Sequence, residues 1–75
     1  MKRNRYDALV ALLTGHAHAR YGRGILDGWS AECGISKSTL SRRIRRPQDI
    51  SLGELVQMAR PLEIDAETLR TAMPL

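Results

Sequence analysis

Gly34-Ile35-Ser36-Lys37-Ser38-Thr39-Leu40-Ser41-Arg42-Arg43-Ile44 is the stretch that decides how this 75-residue chain folds. Glycine tolerates positive φ at no steric cost, so Gly34 suits the left-handed position that ends a helix. The hydroxyl of Ser36 can accept the backbone N–H of Ser38 or Thr39, which makes it an N-cap. A helix is then expected from Lys37 to about Arg45, stopped by Pro47. Leu40 and Ile44 are its inward residues, and Ile35 packs just before it. Upstream, Ile25, Trp29 and Cys33 recur four apart and share one face of a helix over Ile25 to Cys33, with Gly28 as its weak point. Gly24–Arg46 therefore reads as a short helix, a tight turn and a second short helix. A turn of three to four residues sets two such helices at roughly 90–120°. Ile35 would fill the angle, meeting Trp29 and Leu40.

The pattern extends in both directions. Tyr6, Leu9, Val10, Leu13 and Ala17 have helical spacing over residues 4–20, with Asn4 as a cap and Asp7 three residues on. Gly22 and Gly24 break that helix. After a short loop at Gln48–Ile50, Ser51 and Glu54 form a capping-box pair for a fourth helix. Leu52, Leu55, Val56 and Ala59 are its expected buried stripe, with Met58 near the edge. Pro61 ends or kinks it, and Asp65 caps a fifth helix from Ala66 to Met73. No stretch alternates long enough for a strand. The expected fold is all-α: a single domain over residues 1–75, a compact bundle of about five helices with the helix-turn-helix at about 25–45.

Charge is unevenly spread. Residues 1–46 hold ten Lys/Arg against three Asp/Glu, a surplus of +7, whereas residues 47–75 carry −3. One basic part and one mildly acidic part fit a module with a single polyanion-facing side. At 100° per residue, Leu40 and Ile44 of the third helix point one way. Ser38, Ser41, Arg42 and Arg45 point another, within an arc of about 100°, and Lys37 lies beside it. Short hydroxyls with long cations suit a DNA major groove. Arg bonds guanine O6 and N7 as a bidentate pair, and Ser meets several base edges or a phosphate. The helix N-terminus adds free N–H groups and a positive dipole. Lys37, Ser38, Ser41 and Arg42 are the candidate base contacts. Thr39, Arg43, Arg45 and Arg46 are the candidate phosphate contacts, which position without specifying.

These residues, from Gly34 to Ile44 and on through Pro47, Ser51-Leu52-Gly53-Glu54-Leu55 and Leu62-Glu63-Ile64, resemble the helix-turn-helix of the phage repressor and Cro-like family, the lambda-repressor-like fold. The resemblance covers about residues 6–70. It implies a five-helix transcriptional regulator, often dimeric on a two-fold operator. In that family the matches to Lys37, Ser38 and Arg42 reach base edges, and the match to Ser36 caps the helix and touches phosphate. Leu26 stands where the family often has a Gln bonded to the DNA backbone. Ser30 replaces a tight-packing Ala. Arg43 takes a commonly apolar position, with Ile44 serving instead.

Other classes are disfavoured. An apolar share of 43% suits a folded domain rather than a disordered tail, and with no Phe the core rests on aliphatic residues and Trp29. No run nears the roughly 18 apolar residues of a membrane span, and the segment behind the basic N-terminus is a poor signal-peptide core. Cys33 is the sole cysteine, which points to a reducing cytoplasm and a small core residue rather than a nucleophile. His16 and His18 diverge by about 200° on a helix and cannot share a metal ion locally. No catalytic set or phosphate loop stands out, so a non-enzyme without cofactor or metal is expected, with double-stranded DNA as partner. Leu69, Met73 and Leu75 either extend the core or form a homodimer interface. A symmetric dimer would place two recognition helices about 34 Å apart. Two rival readings are an accessory DNA-binding protein, such as an excision or packaging factor, and a protein-interaction module on the same fold.

Overall fold

The computed structural model describes residues 5–74, all helices, turns and connections, with no strand among them. Five α-helices follow in order: α1 (Asp7–Tyr21), α2 (Ile25–Cys33), α3 (Lys37–Arg45), α4 (Leu52–Ala59) and α5 (Ala66–Ala72). Single 3-10 turns at Gly22–Gly24, Pro47–Asp49 and Arg60–Leu62 join α1 to α2, follow α3 and extend α4. The stretch expected as loop after Pro47 is thus a turn of helix, closed by the Asp49 N–H on the Arg46 carbonyl at 2.9 Å.

Helix α1 starts later than its periodicity suggests. Tyr6 occupies the N-cap without a side-chain cap bond. The cap expected at Asn4 lies outside the described residues. Gly22, at φ 62°, ends α1 and returns its N–H to the His18 carbonyl. Helix α5 stops one residue short of the expected Met73, which is extended. Asp65 caps α5, its carboxylate accepting the Thr68 N–H at 2.7 Å.

One cluster forms the core. Leu9, Leu13 and Ala17 of α1 meet Trp29 and Cys33 of α2, Ile35, Leu40 of α3, and Leu55, Met58, Ala59 and Leu62. Tyr21, Ile25, Leu26, Ile44, Ile50, Ile64, Leu69, Ala72 and Met73 pack around it. Leu69 and Met73 therefore join the core's margin, and Leu75 lies outside the described residues. The buried Trp29 indole N–H donates to the Met58 carbonyl at 3.0 Å. That carbonyl is among the last four of α4, which lack partners inside their helix, so the tryptophan closes the helix end while filling the core.

The expected stripe of α4 is corrected by this packing. Leu52 is 72% exposed and Val56 45%, whereas Met58 is fully buried beside Leu55 and Ala59. Apolar residues at 52, 55, 56, 58 and 59 span about 160° of the helix at 100° per residue. That is more than its neighbours cover, and the Trp29–Met58 contact selects which part turns inward.

Gly28 has a tertiary reason. A Cβ there would lie 2.5 Å from Cδ1 of Tyr21, so the ring packs where any other residue would stand. The Tyr21 hydroxyl donates to Glu32 Oε1 at 2.6 Å, and Arg20 Nε donates to the same oxygen at 3.0 Å. This network ties the end of α1 to α2. It holds the Glu32 carboxyl below its ordinary value, chiefly through the Tyr21 bond.

Candidate nucleic-acid interface

Two helices and a three-residue turn create this surface. Gly34, at φ 78°, is left-handed and donates its N–H to the Ser30 carbonyl at 3.0 Å. Ile35 is buried. Ser36 is extended, and its Oγ accepts the Thr39 N–H at 3.3 Å, so α3 begins at Lys37 under its expected cap. Leu40 is buried and Ile44 packs against the core, which turns the opposite side of α3 outward.

On that outward side Lys37, Ser38, Arg42 and Arg45 are exposed and Ser41 is half-buried. The hydroxyls are ordered locally. Ser36 Oγ donates to Thr39 Oγ1 at 3.0 Å, and Arg42 Nη2 donates to the same Thr39 oxygen at 3.3 Å. Thr39 therefore steadies Arg42 from one turn earlier. Arg42, Arg43 and Arg45 crowd the last turn, where the helix dipole favours cations. With Arg46 and Asp49 they line one surface depression.

The candidate residues differ in how free they are. Arg42 and Arg45 have no ion-pair partner among the described residues. Arg46 Nε meets Asp49 Oδ2 at 3.2 Å, both exposed. Arg43 is turned toward α4: its Nε donates to Glu54 Oε1 at 3.0 Å and to Oε2 at 3.2 Å, with both side chains about a quarter exposed. Glu54 also accepts the Ser51 N–H at 2.9 Å, completing the capping box. These bonds, the Arg43 bond first, hold the Glu54 carboxyl below its ordinary value and raise the Arg43 guanidinium. Arg43 thus joins two helices. Lys37 Nζ donates to Asp27 Oδ1 at 2.7 Å. That contact links the first turns of α2 and α3 and raises the Lys37 ammonium.

Sequence reasoning passed over Asp27 and saw Glu54 only as a cap. Lys37 lies ten residues after Asp27 and Glu54 eleven after Arg43, each on a different helix from its partner. No spacing rule within one helix pairs residues so far apart; only their opposite charges gave a signal.

The remaining candidates, His16, His18 and Cys33, lie on α1 and α2. His16 and His18 are exposed on α1, and no group of three or more metal-ligating side chains gathers among the described residues. The Cys33 thiol is buried, which pushes its pKa up. Two further surface depressions each gather no more than one titratable side chain. No described helix is long and apolar enough to cross a membrane.

Comparison of the chain with known protein families, curated proteins and solved structures finds no significant match to any of them.

Proposed function

We propose that this chain is a sequence-specific double-stranded DNA-binding transcriptional regulator of the phage or mobile-element repressor type, a helix-turn-helix protein that seats α3 in the major groove. One observation carries the reading: the Gly34 turn and the buried Leu40 leave Lys37, Ser38, Ser41, Arg42 and Arg45 on the outward side of a capped helix. Arg42 is the principal base reader, steadied by Thr39. Lys37, Ser38 and Ser41 add base contacts. Ser36, Thr39, Arg45 and Arg46 hold phosphates, which fix register without reading sequence. Arg43 contributes to the phosphate side with whatever donors its bond to Glu54 leaves over. In this reading the protein acts without cofactor or catalysis, in a reducing cytoplasm that keeps Cys33 a thiol.

Selection from a randomised duplex pool at near-physiological salt tests this, because non-specific binding is weak there. An enriched site is the expected result, as an inverted repeat with half-sites about one turn apart for a homodimer or as a single half-site for a monomer. Arg42→Ala should then cost about 1–3 kcal/mol of binding and relax preference at one base. Duplex binding without enrichment would favour an accessory DNA-binding role. Absence of duplex binding would leave the protein-interaction reading.

A further inference from the structure

Opposite charges meet between the first turn of α2 and the first turn of α3. Lys37 Nζ and Asp27 Oδ1 are 2.7 Å apart, with side chains 60% and 74% exposed. Lys37 is the first residue of α3, beside the outward arc that carries Ser38 and Arg42. A carboxylate therefore stands at the edge of the surface assigned to DNA. It has two electrostatic effects there. It occupies the lysine in the free protein, and its own charge repels an approaching phosphate.

An exposed pair of this kind is weak, because water screens both charges and holding two side chains together costs entropy. It biases Lys37 without locking it. A phosphate brought close at random must displace the carboxylate and tolerate its charge. A well-placed base acceptor gains a charge-assisted bond in return.

We propose that Asp27 is a specificity-setting residue of the α3 surface: it withholds Lys37 from non-specific DNA and yields it where a correctly placed acceptor replaces the carboxylate. The proposal rests on the DNA-binding reading above. Discrimination is then achieved partly by penalising the wrong partner, one of the two routes by which interfaces become specific.

A double-mutant cycle on the full chain tests it, using a random-sequence duplex and the duplex recovered by selection. Asp27→Asn should bind the random duplex about three- to tenfold more tightly, with a log-affinity against log-salt slope steeper by about one as Lys37 gains a phosphate. The ratio of selected to random affinity should fall. Lys37→Ala should cost more random-duplex affinity in the Asp27→Asn background than in the wild type. Glu67→Gln on α5 controls for simple loss of one negative charge and should show no such coupling. Unfolding midpoints of all variants verify that an exposed pair has been altered in a folded protein. Equal Lys37→Ala costs in both backgrounds would overturn the proposal while leaving DNA binding intact. Failure of both wild type and Asp27→Asn to bind either duplex would overturn the proposal and the DNA-binding reading together.

Discussion

The indole N–H of Trp29 reaches the carbonyl oxygen of Met58 at 3.0 Å inside the core. Two helices that carry the candidate interface and its support are thereby joined by one buried bond. Trp29→Phe removes the donor and leaves that carbonyl without it. The expected loss is about 1–3 kcal/mol for the unsatisfied acceptor, with a smaller packing loss added. For a domain this small that is a large share of total stability. Urea unfolding followed by circular dichroism measures it, since the variant lacks the sole tryptophan. An unchanged midpoint would show that the bond contributes nothing net.

Gly28 and Tyr21 make a second, opposite case. In an isolated helix Gly→Ala gains about 1 kcal/mol. Here the added methyl would stand 2.5 Å from Tyr21 Cδ1 and must move a ring whose hydroxyl is bonded to Glu32. Gly28→Ala is expected to destabilise despite the propensity gain. Tyr21→Ala should make the same change favourable, so the two substitutions should be strongly non-additive in denaturant titrations.

The orientation of α4 predicts a sharp difference between neighbours. Met58→Ala and Leu55→Ala each remove a buried side chain and should cost about 2–5 kcal/mol. Val56→Ala and Leu52→Ala, on the exposed side, should stay within about 0.5 kcal/mol. If Val56→Ala proved as costly as Met58→Ala, α4 would have to be rotated about its axis.

Acid should weaken the fold through carboxylates held in bonds. Glu54, Glu32 and Asp65 are all below their ordinary values, through Arg43, Tyr21 and the Thr68 N–H respectively. With folded pKa values depressed, the unfolded chain binds more protons in the acid range. The contribution of Glu54 is fully present above its ordinary value of 4.5 and is lost as pH falls through its lower folded value. Stability should rise from about pH 3 to about pH 5 and then level. Glu54→Gln should flatten part of that rise in chemical denaturation, and an identical pH profile would show that the Arg43 bond is not coupled to folding.

Neighbouring arginines should separate by role. Arg43→Ala breaks the α3–α4 bond to Glu54 and should lower the unfolding midpoint. Arg42, whose side-chain bond among the described residues goes to Thr39 on its own helix, should leave that midpoint nearly unchanged when replaced by Ala and act on DNA binding. Thermal unfolding beside duplex titration distinguishes them, and a reversed pattern would exchange their assignments.

Local chemistry was legible wherever a single residue sufficed to act. The left-handed Gly34, the Ser36 cap, the Ser51–Glu54 capping box, the Asp65 cap and the helix between Ile25 and Cys33 each depend on backbone groups within a few residues, and each stands where it was expected. The outward arc of α3 was equally readable, because Leu40 and Ile44 alone define its inward side. What depends on distant partners was not readable. Periodicity could not orient α4, where five of eight residues are apolar and Trp29 of another helix decides which are buried. Nor could spacing reveal that Arg43 is held by Glu54 and Lys37 by Asp27, since those pairs exist only once α2, α3 and α4 have packed. Backbone caps are satisfied within one turn of chain, whereas burial and ion pairing are set by what another helix brings to the same place.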